Sequence, residues 1–236
     1  MHMPEPDMQT RGELLIGTPE EKLSYEINHV NTVEDLRNLA RGLDQLAQIY
    51  DDEHRYIEAE VGYLLSIEFL QRTPIKNDPE LGLEYQRLAA HYAKVGDLAL
   101  ARKANLKSLT ILRAHATDNP LLLAIVLHNQ AWFEIRAGKI AKAEQYLLES
   151  LTMLKQKVGP KHFLVGLAAN AIAELYMKQG NLSKSEEYFK MALENMPHSP
   201  ETKVVTKEIT SNYVSVLRKC HKYSAAKELE VQVHAN

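Results

Sequence analysis

The stretch that decides the fold is residues 88–102, which read LAAHYAKVGDLALAR. Leu88 and Tyr92 are spaced as neighbours on one face of a helix. Gly96 predicts the end of that helix, because glycine adopts the left-handed conformation after a helix without a Cβ penalty. A second apolar-periodic run begins at Leu98, so the stretch predicts a helical hairpin.

The turn glycines and the small residues of this hairpin recur at a fixed distance along the chain. Gly96, Gly138 and Gly180 are 42 residues apart. Two sets of small residues follow the same period, namely Ala47, Ala89, Ala131 and Ala173, and Ala59, Ala101, Ala143 and Ser185. Small side chains allow two helices to approach closely, and a repeat of this length predicts stacked hairpins.

Larger apolar residues follow each turn, and we expect them to fill the groove between helices. They are Tyr56, Leu98, Ile140, Leu182 and Tyr223. In the first and fifth repeats, His54 and His221 hold the position of the turn glycine. Because a single hairpin cannot bury its apolar face alone, neighbouring hairpins must stack.

This pattern resembles the tetratricopeptide repeat. The match runs through Leu88, Ala89, Tyr92, Gly96, Leu98, Ala101, Leu109 and Pro120. The period exceeds the usual length of about 34 residues, which is similar to the variant found in kinesin light chains and many bacterial proteins. The resemblance covers roughly residues 32–233. It implies an all-α, right-handed superhelical solenoid of about five antiparallel helix hairpins that serves as a binding scaffold.

Three segments are expected along the chain. Residues 1–18 show little periodicity and predict a flexible tail. Thr18 followed by Pro19 suits a helix start, so a short capping helix is predicted over residues 19–31. The repeat array should occupy residues 32–236, with all later prolines in loops and none within a helix.

The first helix of the array should start at Thr32, with a capping box in which Asp35 replaces the usual glutamate. No sustained period-two alternation is present, so no β-strand is predicted.

The composition excludes several classes of function. A net charge of −3 lacks the basic footprint of a nucleic-acid binder. No apolar run is long enough for a membrane span or a secretory leader. The single cysteine, Cys220, excludes an internal disulfide and fits a reducing compartment. A soluble, cytoplasmic protein is therefore expected.

No catalytic or metal-binding pattern is present. Phosphate-loop, zinc-protease and serine-nucleophile motifs are all missing. Lys219 and Lys222 flank Cys220 and could lower its pKa, but a small residue in the turn of repeat five is the favoured interpretation. We therefore expect no enzyme activity, no cofactor and no metal ion.

The expected binding surface is the concave face, which the first helix of each hairpin lines in proteins of this kind. One turn to either side of the small-residue positions, ten residues are predicted to face the groove. They are Asp44, Gln48, Gln86, His128, Asn129, Trp132, Arg136, Asn170, Glu174 and Lys178.

The side chains in this set favour a peptide ligand. Gln86, Asn129 and Asn170 each offer a donor and an acceptor to the backbone of an extended peptide. Trp132 is either an aromatic anchor or a partly buried core residue, because Gln130 and Glu134 disturb the core pattern around it.

The charged residues in the set allow two interpretations. Arg136, Lys178 and, in repeat five, Arg218 either form a positive wall at one end of the groove or are ordinary solubilising charges. Some relatives hold a chaperone's carboxylate tail with Lys and Asn. Here Asp44 and Gln48 occupy the corresponding positions, and an acidic residue would repel that ligand.

The predicted function is therefore non-catalytic binding of a protein or peptide in the concave groove. One alternative is a sensor of a short signalling peptide that acts with a separate effector chain. Another is a homo-oligomeric scaffold. The last helix, which carries Ala226, Leu229 and Val233, ends the sequence without a polar cap. Either the sequence is a fragment of a longer protein or this end packs on another subunit, and weak self-association is the favoured interpretation.

Overall fold

The computed structural model describes residues 32–76, 78–116, 119–197 and 199–235. Within these residues the regular structure consists of ten α-helices without a strand. The chain divides into two compact units, one ending at Ala114 and the other beginning at His115. The tail predicted for residues 1–18 and the capping helix predicted for residues 19–31 lie outside the described residues.

The helices form consecutive antiparallel pairs within each unit. The first unit contains α1 (Val33–Asp52), α2 (Tyr56–Gln71), α3 (Pro79–Val95) and α4 (Leu98–Arg113). The second unit contains α5 (Pro120–Arg136), α6 (Ile140–Val158), α7 (Phe163–Lys178), α8 (Leu182–Glu194), α9 (Lys203–Lys219) and α10 (Tyr223–Ala235). The predicted all-α architecture of stacked helical hairpins is confirmed.

The small residues with the 42-residue period lie where the two helices of a pair approach most closely. All of them are buried, with exposed fractions between 0% and 2%. At Gly62 of α2 the approach is closer still, because an added Cβ would lie only 2.8 Å from the Cβ of Ala47. Larger side chains at these positions would force the helices apart.

The predicted turn glycines adopt left-handed backbone conformations. The φ angles of Gly96, Gly138 and Gly180 are +91°, +72° and +75°. An added Cβ at Gly138 would meet no atom within 4 Å. The requirement for glycine there therefore comes from the backbone angle and not from lack of space.

Two histidines adopt the same left-handed conformation in the repeats that lack the glycine. His54 has a φ of 61° and His221 a φ of 60°. In each case the Nδ1 atom lies 3.1 Å from the hydroxyl oxygen of the tyrosine two residues later, which is Tyr56 or Tyr223. This local hydrogen bond offsets part of the strain of a non-glycine residue in this region.

Tyr223 departs from the prediction that the residue after each turn fills a groove. Its four counterparts are half-buried, but Tyr223 is 61% exposed. Its counterpart Leu182 packs against the cluster that contains Ile209 and Val216 of the following helix, α9. The described residues contain no helix after α10 that could cover Tyr223 in the same way.

The helix starts agree with the sequence signals, with one correction. At Thr32 the side chain accepts a hydrogen bond from the Asp35 amide at 3.1 Å, and the Thr32 amide donates to Asp35 at 2.7 Å, which confirms the capping box. The prediction that Pro79 and Pro120 lie in loops is wrong, since each is the first residue of a helix. Proline is tolerated there because the first amide of a helix has no intrahelical partner.

Two serines bind the backbone of the partner helix at equivalent positions. Ser108 donates to the carbonyl of Gly82 at 2.7 Å, and Ser150 donates to the carbonyl of Ala124 at 2.8 Å. Both pairs are buried and span 26 residues. The two serines follow the 42-residue period, although the recurrence alone does not identify their partners. The bonds fix the alignment of the two helices in their hairpins.

We predict that Gly138→Val lowers the free energy of unfolding by about 1–3 kcal/mol, through backbone strain at positive φ. Gly138→Asn should cost less, because asparagine tolerates the left-handed region. Denaturant titration of both variants tests this. An unchanged midpoint for the valine variant would contradict the role assigned to this turn.

Candidate functional site

In the first unit, the predicted groove residue Asp44 is buried and paired with another residue of the protein. Asp44 of α1 is only 4% exposed, and its carboxylate forms an ion pair with Arg87 of α3. Gln48, one turn later and exposed, donates to the same carboxylate at 2.7 Å. The third predicted residue of this unit, Gln86, is half-buried. A ligand-binding role for these three residues stays a prediction.

Asp44 belongs to a buried acidic pair that shares one guanidinium group. Arg87 Nη1 also lies 2.8 Å from Oε1 of Glu84, which is 3% exposed. Burial raises the pKa of both carboxyls, and the charge of Asp44 helps to raise that of Glu84 to about 7, whereas Arg87 opposes both shifts. Because two like charges meet one cation, the pair favours retention of a proton. We interpret this cluster as a structural element.

A second buried network lies further along the same helices. The Nδ1 atom of His91, which is 2% exposed, lies 2.9 Å from Oδ1 of Asp51. Lys94 donates to the backbone carbonyl of Asp51 at 2.7 Å. Burial raises the pKa of the neighbouring Tyr63 above its usual range. These polar side chains between α1 and α3 therefore satisfy one another within the first unit.

In the second unit, four predicted residues lie along α5. His128 and Asn129 are half-buried, Trp132 is 38% exposed and Arg136 is exposed. The Trp132 ring packs edge-on against Phe133, with ring centroids 5.2 Å apart. The Arg136 guanidinium carbon lies 5.0 Å from the centroid of the Trp132 ring, within cation–π range. Trp132 is thus held in place while more than a third of it faces solvent.

Two buried polar residues at the unusual core positions around Trp132 are hydrogen-bonded to each other. Gln130 and Glu134 are 0% and 2% exposed. Gln130 Nε2 donates to Glu134 Oε1 at 2.7 Å, across one helical turn. The pair therefore occupies interior space where repeat two has Leu88 and Tyr92, and both members point away from the solvent.

A small apolar cavity lies at the junction of α5, α6 and α7. Its volume is about 150 Å³, and its lining includes Ile125, His128, Leu154, Leu164 and Leu167. Burial lowers the pKa of His128, so its imidazole is neutral at neutral pH. No specific sequence signal marks this cavity, because its lining comes from three helices.

On α7, the predicted residues Asn170, Glu174 and Lys178 follow one face at intervals of four residues. Asn170 Nδ2 donates to Glu174 Oε1 at 2.9 Å. The amide oxygen of Asn170 is buried and accepts no hydrogen bond from the described residues. Lys178 is exposed. Each helix thus presents its predicted residues as one stripe, but a single surface formed by α5 and α7 together stays a prediction.

Residues 122–198, which extend from α5 through α8, match the sequence model of the tetratricopeptide repeat. These hairpins are tetratricopeptide repeats. The resemblance predicted from the turn glycines and small residues is therefore confirmed. Such repeats are generally protein–protein interaction modules, and the fold is typically a non-catalytic scaffold.

Three solved structures illustrate the similarity of the fold. BtubC (BKLC) from P. vanneervenii is 18% identical, with a TM-score of 0.76 over 93% of this chain and 91% of that chain. A kinesin-light-chain-like protein of nearly identical TPR-like repeats from Podosopora anserina is 16% identical, with a TM-score of 0.67 over 83% and 93%. The apo form of RapI is 14% identical, with a TM-score of 0.75 over 91% of this chain and 57% of RapI. At these identities the similarity shows the fold alone.

Other comparisons add no further assignment. No curated protein shows significant sequence similarity to this chain. Among the helices of the described residues, none combines the length and apolarity that crossing a membrane would require. The described side chains also contain no cluster of three or more His, Cys, Asp or Glu residues suited to a metal ion.

We predict a pH-dependent stability that comes from Glu84. Its raised pKa means that the folded state favours the protonated carboxyl. This stabilisation is present in full below pH 4.5 and is lost as the pH rises towards about 7. Glu84→Gln should remove much of this decline, which we expect to be about 1–3 kcal/mol. Urea titrations between pH 4.5 and 8 measure it.

Glu80→Gln provides a control in which the expected pH dependence of stability has the opposite sign. Although burial acts against it, hydrogen bonds from Arg41 and Arg37 lower the pKa of Glu80. Its stabilising contribution is therefore present at neutral pH and lost on acidification, so the variant should be less stable at pH 7. If Glu84→Gln retained the full wild-type decline, the proton would be held elsewhere.

Proposed function

We propose that this chain is a non-catalytic interaction module that binds a peptide or protein segment on the concave side of its first helices. The main contacts would come from the stripes on α5 and α7. The observation that carries the proposal is the immobilised and partly exposed Trp132 on α5. Tryptophan and arginine are enriched among the residues that dominate binding energy, and here Arg136 stacks on the tryptophan ring.

The apolar cavity provides a place for a ligand side chain near this anchor. Ile125, His128 and Trp132 are spaced by three and four residues, so they lie along one face of α5. Ile125 is 46% exposed, and both Ile125 and His128 line the cavity of about 150 Å³. Because the lining is mainly aliphatic and the imidazole is neutral, we propose that an apolar side chain of the ligand enters there.

The amide side chains would bind the ligand's backbone. Asn129 on α5 and Asn170 on α7 can each donate and accept a hydrogen bond. The buried amide oxygen of Asn170 lacks a donor among the described residues, and an unsatisfied buried acceptor is costly. If ligand binding turned the Asn170 side chain toward the surface, an N–H group of the ligand could bond this oxygen and remove that cost. This supports a peptide backbone as the ligand group beside α7.

Charged side chains would contribute mainly to orientation. Arg136 and Lys178 are exposed cations at the ends of α5 and α7, and they would attract acidic residues of the ligand. Glu174 is already engaged by Asn170. In the first unit, Gln48 and Gln86 remain candidates for contacts, whereas Asp44 is held by Arg87 and would contribute only if that ion pair opened.

The anchor role of Trp132 is tested with peptides that bind the full-length chain. These peptides are selected from a displayed library of random sequences. We expect Trp132→Ala to weaken binding of the selected peptides by about 2 kcal/mol or more, as loss of an anchor would. Val204→Ala is a matched control, because Val204 is an exposed apolar residue on α9 outside this surface. Peptides that bind wild type and Trp132→Ala equally well would refute the anchor role.

Asn129→Ala and Asn170→Ala test the backbone contacts. Each should weaken binding of a selected peptide by about 1–2 kcal/mol, through loss of a hydrogen bond. The melting temperature and the helical circular dichroism of both variants should change little. A purely structural role predicts the reverse result, namely reduced stability with unchanged affinity, so both quantities are measured on the same samples.

A further inference from the structure

A cavity of about 670 Å³ lies between α9 and α10, and no residue of α5 or α7 lines it. We call it the α9–α10 seat; its lining includes Lys207, Thr210, Val214, Arg218, Lys219 and Tyr223. Thr210 and Val214 form a buried floor, with exposed fractions of 4% and 6%. Tyr223 forms an apolar side wall that is 61% exposed.

The repeat pattern indicates that this seat suits a helix. Allowing for a one-residue deletion in repeat five, Val214 corresponds to Ala173 of repeat four. Ala173 is fully buried in a cluster that includes Ile209 and Val216 of the next helix, α9. In repeat four, therefore, apolar residues of the following helix pack against the position that corresponds to Val214.

Tyr223 leads to the same conclusion from the other side of the seat. Its counterpart in repeat four, Leu182, packs against that same cluster and is half-buried. Tyr223 has an equivalent place at the start of α10 but no helix against it within the described residues. The seat is therefore a helix-binding position that these residues leave open.

The charge of the seat restricts what can fill it. The side chains of Lys207 and Lys219 are exposed and form neither an ion pair nor a hydrogen bond with any described residue. Arg218 donates to Glu230 at 2.8 Å, and Glu230 is the one acidic residue in the lining. The net positive charge favours an acidic helix with one apolar face.

We propose that residues 19–31 of a second copy of this chain occupy the α9–α10 seat. This segment, which lies outside the described residues, reads PEEKLSYEINHVN and is predicted to be helical. Leu23, Ile27 and Val30 have the spacing i, i+4, i+7. Three buried residues of α7 that pack in a core cluster have the same spacing, namely Ala168, Ile172 and Leu175.

The charges of the segment complement those of the seat. Glu20, Glu21 and Glu26 outnumber the single Lys22, so the segment is acidic where the seat is basic. The segment precedes α1, whereas the seat lies between the last two described helices. Docking would therefore join unlike ends of two copies, which is a heterologous contact that can extend to further copies.

The test is a charge exchange in the full-length chain, followed by sedimentation velocity from low to high micromolar concentration. Wild type should self-associate as its concentration rises. Lys207→Glu with Lys219→Glu should weaken the association about tenfold, as should Glu20→Lys with Glu21→Lys. When the two variants are mixed, association should recover, because both contacts between unlike variants pair opposite charges, one as in wild type and one with the charges exchanged.

Lys139→Glu with Lys142→Glu is the matched control, since it reverses two exposed lysines of the second unit outside the seat. This control should associate like wild type. The proposal is overturned if wild type stays monomeric at high micromolar concentration, if the control weakens association as strongly as the seat variant, or if mixing the two charge-reversed variants restores nothing.

Discussion

The close contact between the two helices of each hairpin is the constraint on which the rest of the structure depends. Alanine, serine or glycine occupies the contact points, and at Gly62 even a methyl group would collide with Ala47. The alanine and serine positions recur every 42 residues, so the same close contact between helices recurs along the chain. None of the predicted groove residues on α5 and α7 is fully buried, because their neighbours along each helix face the paired helix.

Much of the fold could be predicted because it depends on local signals. Gly138 and His221 mark turns through their backbone angles, and Ala131 and Ala143 mark helix contacts through their size. The burial of Asp44 and the exposure of Tyr223 could not be predicted in this way. The first depends on Arg87 from the next hairpin, and the second depends on whether another helix packs against α10. Both are set by packing partners and not by local sequence.

The two units also differ in how their buried polar side chains are paired. In the second unit, Gln130 and Glu134 lie one turn apart, so a single helix supplies both members of the pair. In the first unit, Asp44 and Glu84 come from different hairpins and compete for one guanidinium group. The acidic pair makes the contact between its hairpins sensitive to protonation, whereas the bond between Gln130 and Glu134 lies within one helix. The same architecture therefore accommodates repeats of different electrostatic character.

The serine bonds from α4 to α3 and from α6 to α5 have a mechanical consequence. A hydroxyl bonded to a carbonyl on the facing helix prevents the two helices from sliding along each other, because a shift of one residue would leave both groups unsatisfied in the interior. Each of these hairpins is therefore held in one alignment of its two helices. We therefore expect a ligand that contacts two first helices of one unit to change the angle between hairpins and not the alignment within each hairpin.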